Sequence, residues 1–132
     1  MIYLDTSVAL AHLLAEDRRP PDDLWKEVLV SSRLIEYELW TGLQARGLGG
    51  SHGAAARILL GRLAMLELTS EVLARVFEPF PGPVRTLDAL HLASADFLRS
   101  QKQTVEIASY DDRMSLVARK MGFSLSRHCA TV

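Results

Sequence analysis

Short apolar runs that alternate with longer helical segments are the feature that most limits how this chain can fold. Ile2 to Leu4 is an apolar run of strand length, and it leads directly into Asp5. Further runs predict strands over residues 28–31, 65–68, 105–109 and 123–125. Strands that alternate with helices predict an α/β fold, with a mostly parallel sheet and helices on both of its faces.

The segments between these runs carry helix signals. We expect helices over residues 8–15, 24–27, 33–45, 54–63, 70–77, 86–100 and 111–121. Side chains that favour helix N-termini precede several of them, namely Thr6 or Ser7, Ser32, Ser70, Thr86, and Asp111 or Asp112. Gly122 ends the last helix. The glycines at positions 47, 49, 50 and 53 predict a flexible break.

Length and composition predict one domain over residues 1–132. The apolar run at residues 8–14 is interrupted by His12 and is too short to span a bilayer. The N-terminus has no basic segment and no cleavage site of a secretory signal. Cys129 is the single cysteine, which rules out an internal disulfide and fits a reducing compartment. We therefore expect a cytoplasmic protein with no membrane association.

The net charge of −1 excludes a protein that coats nucleic acid through global basic charge. A nucleic-acid substrate would have to be attracted by a local patch or by a bound metal ion.

Three acidic side chains follow predicted strands or begin helices at the same edge of the sheet. Asp5 closes the first strand, Asp111 lies two residues beyond the fourth, and Asp88 lies in the first turn of the helix over residues 86–100. Sites in such sheets form beyond the carboxyl ends of the strands. Glu38 lies about a turn and a half into its helix and could reach the same edge with its longer side chain.

Each acid also has a purely structural interpretation. Asp88 suits the positive end of a helix dipole, and Asp111 suits an N-cap, as Asp5 does. Glu38 lies within the apolar stripe of its helix, where a charge is costly unless it is paired or coordinated. An ion pair of Glu38 with Arg33 or Arg85 would satisfy that need.

Four carboxylates that converge on one edge would repel one another. Two unit charges about 4 Å apart interact by about 4 kcal/mol at an effective dielectric constant near 20. A divalent cation neutralises such a set, and oxygen ligands without His or Cys favour Mg²⁺ or Mn²⁺. An all-carboxylate site that is open to water is typical of phosphodiester hydrolysis.

The residues beside these acids suggest supporting roles. Ser7, Ser32 and Ser109 lie at strand ends, where their hydroxyls can donate hydrogen bonds to the acids. His91 lies one turn after Asp88 and is interpreted as a packed or surface histidine that can touch it. Arg85 and Arg113 suit either phosphate binding or surface ion pairs.

Four sequence blocks together resemble PIN domains, especially the VapC-like toxins. They are Ile2-Tyr3-Leu4-Asp5-Thr6-Ser7, Glu38-Leu39-Trp40-Thr41-Gly42, Arg85-Thr86-Leu87-Asp88-Ala89-Leu90-His91-Leu92-Ala93 and Ser109-Tyr110-Asp111. The order and rough spacing of the blocks hold over essentially the whole chain. The third block is the most specific, and the fourth carries consecutive acids, which leaves Asp111 and Asp112 open as its acid.

The resemblance implies a three-layer α/β/α sandwich and a metal-dependent ribonuclease. Asp5, Glu38, Asp88 and Asp111 match the family's catalytic acids, which would hold Mg²⁺, with Mn²⁺ as a substitute. PIN domains are commonly dimeric, and VapC-like members are toxins inhibited by a VapB-like antitoxin. The implied partners are therefore RNA, that antitoxin and a second copy of the chain.

Two other classes of protein compete with a ribonuclease. One is a catalytically inert PIN-like module that binds RNA or a protein partner. The other is a phosphatase or phospho-receiver, which shares an Asp-rich strand edge but normally uses a lysine there. Lys26, Lys102 and Lys120 are the only lysines, and none follows a strand end near the acids.

Overall fold

A computed structural model describes residues 1–129, which contain five strands and six α-helices. The strands are β1 (Ile2–Leu4), β2 (Leu29–Ser32), β3 (Ala64–Leu66), β4 (Glu106–Ala108) and β5 (Ser124–Leu125). The helices are α1 (Thr6–Leu13), α2 (Leu34–Ala45), α3 (Gly49–Gly61), α4 (Ser70–Ala74), α5 (Thr86–Ser100) and α6 (Asp112–Lys120). Two 3₁₀ segments, Asp22–Lys26 and Arg75–Phe77, complete the described elements.

All strand pairings in the sheet are parallel, as the alternation of strands and helices predicts. The strand order is β3-β2-β1-β4-β5, which places β1 at the centre. The chain winds from β1 through β2 to β3 on one side and then crosses to β4 and β5 on the other. The reversal of strand order between β1 and β4 makes this the place where ligands bind in open parallel sheets.

The sheet separates two hydrophobic cores, one on each face. Ile2 and Leu4 pack with residues of α1, α2 and α3, whereas Tyr3 packs with residues of α5 and α6. Alternate side chains of a strand point to opposite faces, so the three-residue β1 contributes to both cores. Leu4 and Tyr3 are fully buried. Helix layers on both faces of the sheet confirm the α/β/α sandwich.

The N-cap side chains Thr6 or Ser7, Ser70 and Thr86, predicted for α1, α4 and α5, are wrong. The alternative of Asp5 as the N-cap of α1 is confirmed in position, although its side chain accepts no capping hydrogen bond. The helices α1 and α5 begin at Thr6 and Thr86 themselves, with Asp5 and Arg85 in the N-cap positions. The cap of α4 is Thr69 rather than Ser70, because the Thr69 hydroxyl accepts a hydrogen bond from the Val72 N–H at 3.3 Å.

The predicted capping of α2 by the Ser32 side chain is confirmed by a hydrogen bond. The Ser32 Oγ accepts the N–H of Leu34 at 3.0 Å, although the N-cap position itself falls on Arg33. This bond satisfies one of the free N–H groups of the first helical turn. It also commits the Ser32 side chain to the helix end.

The predicted glycine-rich break is wrong over most of its length. Gly47 does end the preceding segment, with a φ of +68°. Gly49, Gly50 and Gly53 instead lie inside α3. A Cβ on Gly53 would approach the Trp40 ring to 3.1 Å, so this glycine lets α3 pack closely against α2. Close helix packing therefore outweighs the low intrinsic helix propensity of glycine here.

Among the helices of residues 1–129, none combines the length and the apolar character that a bilayer span requires.

Candidate active site

The four predicted acids line one cavity of about 550 Å³ at the carboxyl edge of the sheet. We call this cavity the acidic pocket. Asp5 comes from the end of β1, Glu38 from α2, Asp88 from the start of α5, and Asp111 from the turn between β4 and α6. The structure thus brings together residues that are far apart in sequence, and the largest separation, between Asp5 and Asp111, is 106 positions. The remaining lining residues are Thr6, Ser7, Leu10, Leu34, Tyr37, Thr41, Gly42, Arg85 and Leu87.

Asp5 is the most deeply placed acid of the pocket, with 5% of its surface exposed. Its backbone N–H donates to the Ala108 carbonyl at 2.9 Å, which extends the β1–β4 pairing by one residue. Its Oδ2 accepts hydrogen bonds from the hydroxyls of Ser7 at 2.6 Å and Ser109 at 2.9 Å. The supporting roles predicted for Ser7 and Ser109 are confirmed, whereas Ser32 caps α2 instead.

Glu38 is held by two donors on a single oxygen. Its Oε1 accepts a hydrogen bond from the Thr6 hydroxyl at 2.9 Å and from His91 Nε2 at 2.5 Å. The proposed ion pair with Arg33 or Arg85 is wrong. Arg33 pairs with Glu36 and Glu67 on the surface, and Arg85 pairs with the other acids of the pocket.

His91 is a packed histidine, as one of its two sequence interpretations held, but the sequence did not reveal its contact with Glu38. It is 1% exposed, and its Nδ1 lies 2.7 Å from the hydroxyl of Tyr3. Its Nε2 lies 4.0 Å from Asp5 Oδ1, beyond hydrogen-bonding distance. The signal in the sequence was its spacing of one helical turn from Asp88, in a segment that is otherwise mostly apolar.

The surroundings of His91 raise its pKa. Burial is the largest single effect and acts in the opposite direction, because it disfavours the charged imidazolium. The hydrogen bond to Glu38 and the negative charges of Asp5, Glu38 and Asp88 together outweigh burial. These carboxylates favour the protonated form of the imidazole.

Arg85 bridges the two outer acids of the pocket. Its Nε lies 3.3 Å from Asp88 Oδ2, and its Nη2 lies 3.0 Å from Asp111 Oδ2. The Arg85 side chain is 69% exposed, so it approaches these acids from the solvent side. It is the one cationic side chain that lines the acidic pocket among the residues described.

The pKa of Asp88 is raised above its ordinary value. Burial is the main cause, followed by the negative charge of Asp111, and the hydrogen bond and charge of Arg85 oppose both. Arg85 therefore compensates only part of the cost of an ionised Asp88 carboxylate in this conformation.

Of the consecutive acids Asp111 and Asp112, Asp111 is the one that lines the acidic pocket. Asp111 occupies the N-cap of α6, where its Oδ1 accepts the N–H groups of Arg113 at 3.0 Å and Met114 at 3.1 Å. Its other oxygen faces Arg85 in the pocket. Asp112 is exposed and lines a different cavity with Arg18 and Arg119. The capping and the pocket roles of Asp111 therefore coexist, one on each oxygen.

The donor set of the acidic pocket suits a hard divalent cation. The acids offer oxygen only, and the Nε2 of His91 is directed to Glu38. Within residues 1–129, no three Asp, Glu, His or Cys side chains stand close enough to share a metal ion as they are arranged here. The guanidinium of Arg85 holds oxygens of Asp88 and Asp111 instead, so a cation would have to replace it.

Fold and pocket together define a parallel α/β/α sandwich protein with an all-carboxylate pocket at the topological switch point of its sheet. The family model of the PIN domain matches residues 2–120. The chain therefore belongs to the PIN-domain family.

Curated relatives in sequence include ribonucleases of Mycobacterium tuberculosis. The chain is 34% identical to Ribonuclease VapC46, with 94% of this chain and 95% of the relative aligned. It is 31% identical to Ribonuclease VapC47, with 93% of each chain aligned.

Solved structures with the same fold include M. tuberculosis VapC20, a Sarcin-Ricin loop cleaving toxin. The TM-score to VapC20 is 0.71 at 23% identity, and the match covers 96% of this chain and 99% of VapC20. VapBC2 from Rickettsia felis, bound to a DNA fragment from its promoter, contains a chain that matches with a TM-score of 0.72 at 15% identity. That match covers 96% of this chain and 98% of the Rickettsia chain. These structures support the fold.

Proposed function

We propose that this protein is a Mg²⁺-dependent endoribonuclease, the toxin of a VapBC-like toxin–antitoxin pair. The observation that carries the proposal is the convergence of Asp5, Glu38, Asp88 and Asp111 on one cavity. The 34% sequence identity to Ribonuclease VapC46, over 94% of this chain, supports RNA as the substrate.

Asp5, Asp88 and Asp111 are the residues that would hold the cation, and Mn²⁺ can substitute for Mg²⁺. The bound cation would supply an activated water as the nucleophile and would offset negative charge on the phosphate. Asp5 is pre-oriented for this task by Ser7 and Ser109, which fix one of its oxygens. Such hydrogen bonds around a ligand set limit the cost of arranging it.

Glu38 would orient the attacking water or help to hold a second cation. One of its oxygens is fixed by Thr6 and His91, as described above. Within residues 1–129 the other oxygen has no hydrogen-bond donor, which leaves it available for water or cation.

Arg85 would move from the carboxylates to the phosphate when substrate and cation bind. Its exposed side chain can move without unpacking the core, and a guanidinium suits phosphate oxygens. Arg113, the other arginine predicted for this role, is exposed and does not line the acidic pocket.

The proposed protein partners are a VapB-like antitoxin and a second copy of this chain, and the proposed location is the cytoplasm. Two observations support the antitoxin as a partner. The chain shares sequence with VapC ribonucleases, and it shares its fold with a chain of the VapBC2 complex.

The decisive experiment is cleavage of a defined RNA panel by the wild type and by Asp88→Ala, with and without EDTA. We expect the wild type to cut with Mg²⁺ or Mn²⁺, and EDTA or Asp88→Ala to abolish cutting. Cleavage that persists in EDTA, or in Asp88→Ala, would contradict the proposal.

A non-catalytic module that binds RNA or protein is the second candidate. A non-catalytic module has no need of four carboxylates in one pocket, where they would repel one another. Calorimetric titration separates the two, because no binding of Mn²⁺ at millimolar concentration would favour the inert module. A phospho-receiver is disfavoured because no lysine lines the acidic pocket among the described residues.

A further inference from the structure

A buried chain of hydrogen bonds runs from the centre of the sheet into the acidic pocket. The backbone N–H of Ser32 donates to the hydroxyl of Tyr3 at 3.1 Å. That hydroxyl is 2.7 Å from His91 Nδ1, and His91 Nε2 is 2.5 Å from Glu38 Oε1. Tyr3 and His91 are 0% and 1% exposed, so bulk water does not compete for these bonds.

The proton on His91 Nε2 is fixed by its partners. A carboxylate only accepts hydrogen bonds, so Nε2 must carry a proton to bond Glu38. If the imidazole is neutral, Nδ1 is an acceptor and receives the Tyr3 hydroxyl. If the imidazole is protonated, Nδ1 donates to the Tyr3 oxygen. Both states present the same N–H to Glu38, so the orientation of that donor does not depend on the charge of His91.

Tyr3 is the residue that keeps the imidazole in this orientation. The Tyr3 and His91 rings meet edge to face, with centroids 5.7 Å apart and an interplanar angle of 74°. A ring flip of His91 would remove both the Tyr3 and the Glu38 hydrogen bonds. Because the imidazole is buried, water would not replace them. Tyr3, on the central strand, thereby fixes the position of a donor inside the pocket.

We propose that Tyr3 and His91 are positioning residues, which fix the Glu38 carboxylate in the arrangement that binds the divalent cation. The proposal rests on the proposed metal-dependent function of the acidic pocket. His91 acts through Glu38, and Tyr3 acts through His91. The Thr6 hydroxyl assists from the other side of the same Glu38 oxygen.

Calorimetric titration with Mn²⁺ tests this proposal in the absence of RNA. We expect His91→Leu to weaken Mn²⁺ affinity by about 10- to 100-fold, the usual effect of removing a hydrogen bond that orients a ligand. Tyr3→Phe keeps the ring and removes only the hydroxyl, and we expect a loss of about 10-fold. His91→Gln restores a side-chain N–H near the Nε2 position, so it should recover most of the affinity.

A matched control separates positioning from general stability. Val117→Ala removes volume from the core that Tyr3 occupies, but Val117 does not line the acidic pocket. We expect this variant to lower the melting temperature and leave Mn²⁺ affinity unchanged. A purely structural role of His91 would make all the variants lose Mn²⁺ affinity in proportion to their loss of melting temperature.

Nitrogen-15 NMR of the imidazole in the metal-free protein gives a second readout. We expect His91 Nε2 to carry a proton in the wild type. A neutral ring protonated on Nδ1 alone would overturn the proposal, because such a ring has no donor for Glu38.

The experiments distinguish this proposal from the proposed function. If the wild type binds Mn²⁺ and cuts RNA while His91→Leu binds Mn²⁺ as tightly, the positioning role is overturned and the nuclease stands. If the wild type neither binds Mn²⁺ nor cuts RNA, both are overturned. Recovery of affinity by His91→Gln but not by His91→Leu would support the positioning role.

Discussion

The hydroxyl of Ser109 donates a hydrogen bond to Oδ2 of Asp5 at 2.9 Å, although the two residues are 104 positions apart in the sequence. The contact joins the ends of β1 and β4, the adjacent strands between which the strand order reverses. The same hydroxyl accepts the N–H of Asp111 at 3.0 Å. Ser109 therefore ties two of the four acids to one point of the sheet edge.

Ser109→Ala should weaken Mn²⁺ binding by about 10-fold, because Asp5 and the Asp111 backbone would lose a common anchor. Calorimetric titration measures the effect. Ser51→Ala is the matched control, since the exposed Ser51 hydroxyl contacts His52 in α3. Equal Mn²⁺ affinity of the two variants would contradict the prediction.

Arg85→Met should raise the affinity for Mn²⁺ severalfold and lower the rate of RNA cleavage. In the metal-free protein the guanidinium holds oxygens of Asp88 and Asp111 that a cation needs, so its removal eliminates a competitor. The same change removes the proposed contact to phosphate. Calorimetry and a cleavage assay measure the two effects separately.

Arg113→Met provides the control for Arg85, because Arg113 is exposed and does not line the pocket. It should leave both Mn²⁺ affinity and cleavage unchanged. A fall in Mn²⁺ affinity in Arg85→Met would mean that the arginine supports the metal site rather than competing with it.

Asp88→Asn should stabilise the metal-free protein near neutral pH, by up to about 1 kcal/mol for a partly exposed charge. The pKa of Asp88 is raised in the folded state by burial and by Asp111. A raised acid pKa means that the folded state binds the proton more readily than the unfolded state. The ionised carboxylate therefore costs stability above the raised pKa, and this cost disappears as the pH falls through it.

Thermal unfolding in EDTA at several pH values measures the effect of Asp88→Asn. The gain over the wild type should shrink as the pH falls through the raised pKa of Asp88, because the wild-type carboxyl then becomes neutral as well. Mn²⁺ should stabilise the wild type and not the variant. A lower melting temperature of Asp88→Asn near neutral pH would show that the Arg85 contact outweighs burial.

Gly122→Ala should destabilise the fold by about 1–2 kcal/mol, the cost of a left-handed conformation for a residue with a Cβ. Gly122 ends α6 with a φ of +93°. Gly50→Ala is the opposite case, because Gly50 lies in α3 and an added Cβ would meet nothing within 4 Å beyond the adjacent backbone of its own helix. It should stabilise by about 0.5–1 kcal/mol. Chemical denaturation measures both, and equal effects would contradict the argument.

Local sequence patterns were sufficient to predict the α/β architecture. The apolar run Ile2–Leu4 and the later runs predicted all five strands to within a few residues. The boundaries were less well predicted, because N-cap side chains such as Thr69 and Ser70 are adjacent and chemically similar. Gly53 of α3 misled the prediction because its role is to let α3 pack closely against Trp40 of another helix.

The acids of the pocket were predictable because parallel strands end at a common edge. Asp5 and Asp111 follow neighbouring strands, and the topology places them together whatever their side chains do. The partner of Glu38 was not predictable in the same way. The helical period marked Glu38 as a charge that needed compensation, but it did not identify His91, which lies 53 residues away.

The sequence by itself determined the alternation of strands and helices, the parallel sheet and the set of acids at its edge. The period of the apolar residues and the order of the elements along the chain are local features, and they leave a visible pattern in the sequence. Only the tertiary structure decided that Arg85 bridges Asp88 and Asp111 and that Tyr3 and His91 reach Glu38. These contacts depend on the relative placement of packed elements, to within about an ångström, and no local pattern encodes that distance.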